Sequence, residues 1–292
     1  MTRLDFEVVD VFTDTAYRGN PLAVVNGAEA LSTEQMQAIA REFNLSETTF
    51  PLSPTPEQAA RDVDYHLRIF TPASELPFAG HPSVGTAWLM AARGRVGAGR
   101  VVQACGAGDL PLLVSEKAGP VTLTGGAPTL GDLLDGAAVA AGVGLRPEDL
   151  TGTPVQQAGT GVQFCFLHVH PEAVARARPV ALDTYGAVGV YVVGWPDAPD
   201  TEHVRARMFA TDIGVMEDPA TGSAALGLAV HAVAHGLLPA DGSSRFDVVQ
   251  GVEVGRRSML RVAVDAEGGR AVEARVSGDV VAVSSGSIEA PA

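Results

Sequence analysis

Residues 75–94 and 217–236 of this 292-residue chain align without a gap at an offset of 142. In that register Glu75 falls on Glu217, Pro77 on Pro219, Gly80 on Gly222, Gly85 on Gly227, Ala87 on Ala229 and Gly94 on Gly236. The shared register implies two related halves, each built around the same element. The local physics names that element. Pro77 and Pro219 hold the preceding residue extended and keep the chain out of helix until the glycine. Gly80 and Gly222 permit a tight bend and a close approach to a ligand. His81 and Ser223 then stand at a helix mouth, where the first N–H groups lack intrahelical partners, and Pro82 suits the first helical turn. Such a mouth attracts anions, because free N–H groups and the helix dipole act together. The following runs, Val84–Ala92 and Ala224–Ala234, are apolar nearly all round, so each helix should be buried in its lobe. Two such N-termini meeting between lobes would make a cleft for a small carboxylate. The competing reading is two ordinary Gly/Pro turns that lead into core helices.

Composition narrows the function classes. With 46% hydrophobic and 18% charged residues the chain can bury a core and is not a disordered segment. A net charge of −14 argues against DNA, RNA or anionic membrane as partners, since phosphate binding rests on clustered basic residues. The only lysine is Lys117, in a Ser-Glu-Lys-Ala-Gly-Pro stretch that reads as a hairpin turn. Schiff-base and pyridoxal-phosphate chemistry, which need a lysine in a pocket, are therefore set aside. No apolar signal core or membrane-length run is present, and with two cysteines, Cys105 and Cys165, the expectation is a reduced, cytoplasmic protein. Neither cysteine has metal-ligand spacing, and both read as small packing residues.

Along the chain the pattern is strand-rich. Phe6 to Phe12 alternates as a strand, the turn Arg18-Gly-Asn-Pro21 follows, and Leu22 to Val25 reads as a buried strand. Ser32-Thr-Glu-Gln35 has capping-box spacing ahead of a helix whose Met36, Ile39, Ala40 and Phe43 share one face; Asn44 can close it left-handed. Leu45-Ser46-Glu47 enters a strand at 48–52, Pro54 to Asp62 reads as a polar loop, and Tyr65 to Phe70 leads to Gly80. In the second half, Leu133 to Val143 reads as an added helix and Pro171 to Ala177 as a short one, with strands at 161–169 and 188–193. Arg207-Met-Phe209 repeats Arg68-Ile-Phe70. The expected fold class is α+β: two pseudo-symmetric lobes, each a curled, mostly antiparallel sheet or barrel around a central helix. The lobes are expected at 1–125, with its helix near 82–93, and at 126–292, with its helix near 223–235. The last strand is free to pack on the N-terminal lobe.

Glu47 is the first candidate for chemistry. It stands at a helix-to-strand junction between Ser46 and Thr48, where an apolar cleft would raise a carboxyl toward the range useful to a general base; an exposed strand-start glutamate is the bland alternative. The equivalent place in the second half, 188–190, carries no acid. Racemisation with two bases needs one on each face of the substrate, so a single carboxylate that removes and redelivers a proton on one face fits better. Asp218, His81 and Ser223 remain as helpers at the helix mouths, although an acid before proline is often only a turn residue. A helix start disfavours the charged form of His81 and leaves it a neutral hydrogen-bonding group. Asn20 could bond a substrate or simply its own turn. His231 and His235 are spaced i, i+4 without a third ligand, which speaks against zinc. No Gly-x-Ser-x-Gly elbow, Walker loop or dinucleotide fingerprint in the right context occurs.

Taken together, Phe12 with Gly19-Asn20-Pro21, Asn44-Leu-Ser-Glu-Thr-Thr-Phe50, Arg68-Ile-Phe-Thr-Pro72, Glu75-Leu-Pro-Phe-Ala-Gly-His-Pro82, Glu217-Asp-Pro-Ala-Thr-Gly-Ser-Ala224 and Gln250-Gly251 resemble the PhzF-like isomerases of phenazine biosynthesis. That family lies within the diaminopimelate-epimerase-like fold, and the resemblance covers nearly the whole chain. It implies two lobes with a cofactor-free, metal-free site between them, and usually a homodimer. Glu47 matches the family's general acid/base, and His81, Asp218, Gly80, Gly222 and Ser223 match substrate-contacting positions; Asn20 and Ser46 complete the candidate site. The best-known member moves a proton within trans-2,3-dihydro-3-hydroxyanthranilate. One departure is Gly255-Arg-Arg-Ser258, where the family often has Gly-Arg-Pro-Ser; a local change at a strand entry is expected. The cysteines of the related amino-acid epimerases are absent.

The reading is thus an isomerase that shifts a carbon-bound proton in a small carboxylate. Two alternatives stay open: a non-catalytic carboxylate-binding protein, and an amino-acid racemase or epimerase using Glu47 with His81 or Asp218. Solvent deuterium exchange and inversion of a chiral amino acid separate the three.

Overall fold

The computed structural model describes residues 3–116, 119–197 and 203–291; Lys117 and the turn expected around it lie outside the described residues. The chain divides into two compact units, Met1–Leu123 with Ser277–Ala292, and Thr124–Val276.

The first unit opens with β1 (Arg3–Val11) and β2 (Asn20–Asn26), an antiparallel pair. Helix α1 (Thr33–Phe43) carries the capping box read from the sequence: Ser32 accepts from the Gln35 N–H and the Gln35 side chain returns to the Ser32 N–H. Asn44 ends it in the left-handed region at φ 51°, which aims the chain into β3 (Glu47–Leu52). The stretch expected as a polar loop contains a one-turn helix, α2 (Pro56–Ala59), because Thr55 and Gln58 form a second capping box. Then come β4 (Tyr65–Phe70), the short β5 (Glu75–Leu76), the central helix α3 (Gly80–Ala92), β6 (Gly99–Cys105), β7 (Gly108–Val114) and β8 (Val121–Thr124).

The second unit contains β9 (Thr129–Leu133), α4 (Gly136–Gly142), β10 (Gln156–Gly159) and β11 (Gln163–Val169). These correct the sequence reading of one helix over 133–143. Leu133 ends a strand that pairs with β10, and Asp135 caps the helix by accepting from the Ala137 N–H. A 3-10 segment, Pro171–Arg176, leads to β12 (Val190–Gly194), β13 (Val204–Ala210) and β14 (Val215–Asp218). Central helix α5 (Gly222–Ala234), β15 (Gly242–Gln250), β16 (Ser258–Glu267) and β17 (Arg270–Gly278) follow. The last strand, β18 (Val280–Glu289), pairs antiparallel along β1, so the C-terminal segment belongs to the first unit and the split is not a single cut near 125.

The two units repeat one pairing order. In the first, β2 and β3 are parallel, β3 and β4 antiparallel, β4 and β6 parallel, β6 and β7 antiparallel. In the second, β11 and β12, β12 and β13, β13 and β15, and β15 and β16 follow the same alternation. Each parallel step needs a crossover, supplied by α1 and α3 in one unit and by the 3-10 segment and α5 in the other. The sheets are mixed with an antiparallel majority, and the described pairings close neither of them into a barrel.

Each central helix is core. Ten of the thirteen residues of α3 and eleven of the thirteen of α5 are buried. The matched glycines of the repeat explain how sheet and helix come so close. A Cβ on Gly85 would stand 2.7 Å from the side chains of Leu22 and Val11, and one on Gly227 2.9 Å from Phe166. Beside α5 lies a buried imidazole group. His168 stacks on His231 with ring centroids 4.9 Å apart, and His231 lies 4.4 Å from His235. His231 donates to the Pro154 carbonyl, while neither ring nitrogen of His168 has a hydrogen-bond partner among the described residues. Burial, with the neighbouring imidazoles adding to it, pushes His168 down to about 3 and His231 to about 2.

Two predictions follow from this packing. Gly85→Ala and Gly227→Ala should each cost about 1–3 kcal/mol by overpacking, read as a lower urea midpoint at unchanged m. Because the folded state holds His168 and His231 below their unfolded value of 6.5, the unfolded chain binds more protons between roughly pH 6.5 and 3. Stability therefore falls as pH drops through that window, by about 1.4 kcal/mol per pH unit for each histidine. Urea titrations at several pH values should show that slope, and His168→Phe should flatten it.

Candidate active site

Three elements of the first unit begin at one place. Asn20 is the first residue of β2 and Glu47 the first of β3; β3 runs parallel to β2 with Glu47 opposite Leu22. His81 is the second residue of α3. The Thr49 and Thr86 hydroxyls, 3.0 Å apart, tie β3 to that helix.

The arrangement sets the state of His81. Its side chain is 6% exposed, and Asn20 Nδ2 lies 3.2 Å from its Nδ1. With the amide as donor, Nδ1 is the acceptor and the ring proton sits on Nε2. Nε2 faces Glu47 Oε2 at 3.4 Å, and the Glu47 side chain keeps 16% exposure. Burial pushes His81 down to about 3, and the positive end of the helix acts in the same direction. His81 is thus a neutral ring whose Nε2 lies 3.4 Å from the carboxylate edge. The sequence left the role of Asn20 open, and in the structure its amide fixes the imidazole. Gly80 is buried beside them as the first residue of α3, whereas Ser46 makes no side-chain hydrogen bond among the described residues.

The entry to α3 is held from outside. Arg68 donates twice to Glu75, at 2.7 Å each, reaches Thr33 Oγ1 on α1 at 2.9 Å, and lies over the Phe70 ring. Gly106 passes so close to Pro77 that a Cβ would meet its Cα at 2.8 Å. Inside, the Tyr65 hydroxyl donates to Gln103, Gln103 donates to Ser83 Oγ, and Ser83 Oγ donates to the Ala79 carbonyl.

The second unit builds a similar mouth with other chemistry. Asp218 ends β14, and its Oδ2 accepts from Thr221 Oγ1 at 2.5 Å. Gln250 accepts from the Tyr191 hydroxyl at 2.8 Å and from the Thr221 N–H at 3.2 Å. It donates to the Asp218 carbonyl at 2.7 Å and to Thr221 Oγ1 at 3.0 Å. Gly251, at φ 75°, lets the strand end pass within 2.6 Å, by its virtual Cβ, of the Pro219 carbonyl. Gly222 is buried as the first residue of α5 and Ser223 half-buried as the second. Arg207 clamps Glu217 through two bonds of 3.0 and 2.6 Å, as Arg68 clamps Glu75. The Gly255 departure lies in a turn that leads from Gly251 into β16, with Arg256 N–H donating to the Gly251 carbonyl. The antiparallel registers pair Thr48 with Phe70 and Val190 with Phe209, so Gly189, one residue before Val190, stands where the first unit has Glu47. Tyr65, Gln103, Tyr191 and the Thr221–Gln250 bonds were missed by sequence reasoning: those partners are strands apart. Gln250-Gly251 was legible as a motif but carried no assigned role. Among the described residues no group of three or more His, Cys, Asp or Glu side chains could hold a metal ion.

The profile of the phenazine biosynthesis-like protein family, PhzC-PhzF, matches residues 9–286. The chain belongs to the PhzF family. It is 32% identical to the trans-2,3-dihydro-3-hydroxyanthranilate isomerase of Pseudomonas aeruginosa, over 96% of this chain and 98% of that one. An uncharacterised isomerase of Mesorhizobium japonicum is 36% identical, over 99% of each chain. The crystal structure of a PhzF-family phenazine biosynthesis protein from Bacillus anthracis superposes with a TM-score of 0.87 at 24% identity. It covers 99% of this chain and 100% of its own, which establishes the fold. This PhzF-family chain is an isomerase.

The geometry around His81 predicts a ring that stays neutral and Nε2-protonated down to roughly pH 4. Nitrogen-15 NMR of labelled histidine should show that tautomer, and Asn20→Leu should scramble it while leaving the rest of the spectrum folded.

Proposed function

We propose that this chain moves a carbon-bound proton within a small, unsaturated carboxylate, with Glu47 as its single general acid/base and without a cofactor. The observation that carries the reading is the pairing of Glu47 Oε2 with the Nε2 of a buried, neutral histidine at 3.4 Å. The helix mouth of α3 supplies N–H groups that bind the substrate carboxylate and stabilise charge that spreads into it. Glu47 takes a proton from carbon, the electron pair of that C–H bond delocalises into the conjugated system, and the protonated Glu47 returns the proton to another carbon on the same face. No proton is gained or lost overall. His81, donating from Nε2, steadies the anionic intermediate without competing as a base. Gly189 in the register of Glu47 favours a one-face shift over inversion, which needs a second base. The substrate class follows the relative from Pseudomonas aeruginosa: a cyclic hydroxylated diene acid similar to trans-2,3-dihydro-3-hydroxyanthranilate.

Glu47→Gln should lower turnover by about 10²–10⁴-fold while ligand affinity changes little. Turnover of trans-2,3-dihydro-3-hydroxyanthranilate and of a panel of small unsaturated acids, followed by deuterium uptake in D₂O, reads this directly. A fully active variant removes Glu47 from the mechanism, and a wild type that binds but washes no label into any acid makes the protein a binder. Asp218→Asn measures whether the carboxylate of the second unit takes part. The pH profile of kcat/KM should lack a histidine limb near roughly pH 6.5, because His81 is already neutral there.

A further inference from the structure

We propose that the second unit carries an anion-binding cavity, separate from the helix mouths, that takes the phosphoryl group of a small phosphorylated metabolite. The cavity measures about 510 Å³, within the range of small-molecule sites, and four arginines line it: Arg146, Arg176, Arg178 and Arg207. Against them stand only Asp149 and Glu253, so the lining carries +2 in a chain whose net charge is −14.

Both acids are already engaged. Asp149 accepts from Arg176 at 2.5 Å and from the Arg146 N–H at 2.9 Å. Glu253 accepts from Arg205 at 2.8 Å and lies 3.8 Å from Arg207. Arg207 is buried and spent on Glu217 and on backbone carbonyls, so it contributes field rather than a free fork. The available forks are on the rim. Arg178 has no carboxylate within 4.0 Å and its guanidinium no hydrogen bond among the described residues. Arg146 pairs only with Glu148, at 3.1 Å, where both side chains are more than half exposed. An exposed pair of that kind is worth little and yields to a better acceptor. Guanidinium forks match phosphoryl oxygens two at a time.

The cavity also has a structural origin. In the first unit Arg68 reaches Thr33 and Met36 of the eleven-residue α1, which fills the space over the clamp. In the second unit the crossover between β11 and β12 carries the six-residue 3-10 segment instead, and Arg207 reaches the Val174 and Ala175 carbonyls. The shorter helical segment leaves the cavity open beside the Arg207–Glu217 clamp.

The test is isothermal titration of the intact chain with inorganic pyrophosphate at low salt. The expected result is one saturable site per chain, weakened at least tenfold by Arg178→Glu and by Arg146→Glu, and unchanged by Arg270→Glu, which alters the net charge equally at the exposed start of β17. Both rim arginines are exposed, so melting curves should match the wild type; Arg178→Ala serves if the charge reversal does not fold. Absence of saturable binding overturns the proposal, as does binding that ignores Arg178 and Arg146 or weakens equally in Arg270→Glu. Succinate competing at the same concentration overturns the phosphoryl assignment.

Discussion

A helix buried along its length cannot give its first N–H groups to water along its flanks, so they must be answered at its open end. That constraint organises both units. Gly85 and Gly227 let the sheet close on α3 and α5, and the polar ends of the helices are left at a mouth where only small or precisely held side chains fit. Around each mouth, groups are fastened by bonds that do not depend on a ligand: Arg68 to Glu75 and Gln103 to Ser83 in one unit, Arg207 to Glu217 and Gln250 to Asp218 in the other. Such preorganisation keeps donors in place before substrate arrives, which is the condition for electrostatic catalysis without reorganisation.

The repeat preserves the scaffold and not the chemistry. Strand order, alternation of parallel and antiparallel pairs, and the arginine clamps recur, because they determine whether the helix can be buried. The reactive positions diverge. Glu47 answers to Gly189, His81 to Ser223, and an eleven-residue crossover helix to a six-residue 3-10 segment. Glu47, His81 and Ser223 each lie within the first two residues of an element, where the side chain can change without changing the strand order. A duplicated framework can thus specialise one half for proton transfer while the other is free to acquire a cavity of opposite charge to the molecule.

Local signals were legible where a few adjacent residues decide the outcome. The Ser32 capping box, the left-handed Asn44 and the glycine-introduced helices were read correctly, because caps and turns are made by side chains bonding their own backbone. The same rule was overlooked at Thr55 and Gln58, where a capping box hides in a polar, proline-bearing stretch. The helix read over 133–143 forms at 136–142, but its first residue, Leu133, was claimed by pairing with β10, whose contribution lies more than twenty residues away. Val280–Glu289 could be recognised as a strand, but its partner, β1, lies at the other end of the chain.

The sequence by itself determined that the chain repeats, that each repeat centres on a buried helix opened by glycine, and that Glu47, His81, Asn20, Gly80, Asp218, Gly222 and Ser223 were the residues to watch. Those are statements about residue type and spacing, and spacing governs local geometry. Only the tertiary structure decided that Asn20 holds the ring of His81, that burial keeps this ring neutral, and that Gln250 and Tyr191 brace Thr221 beside Asp218. Hydrogen bonds between strands and desolvation depend on which distant segments meet, and no window of sequence contains that information.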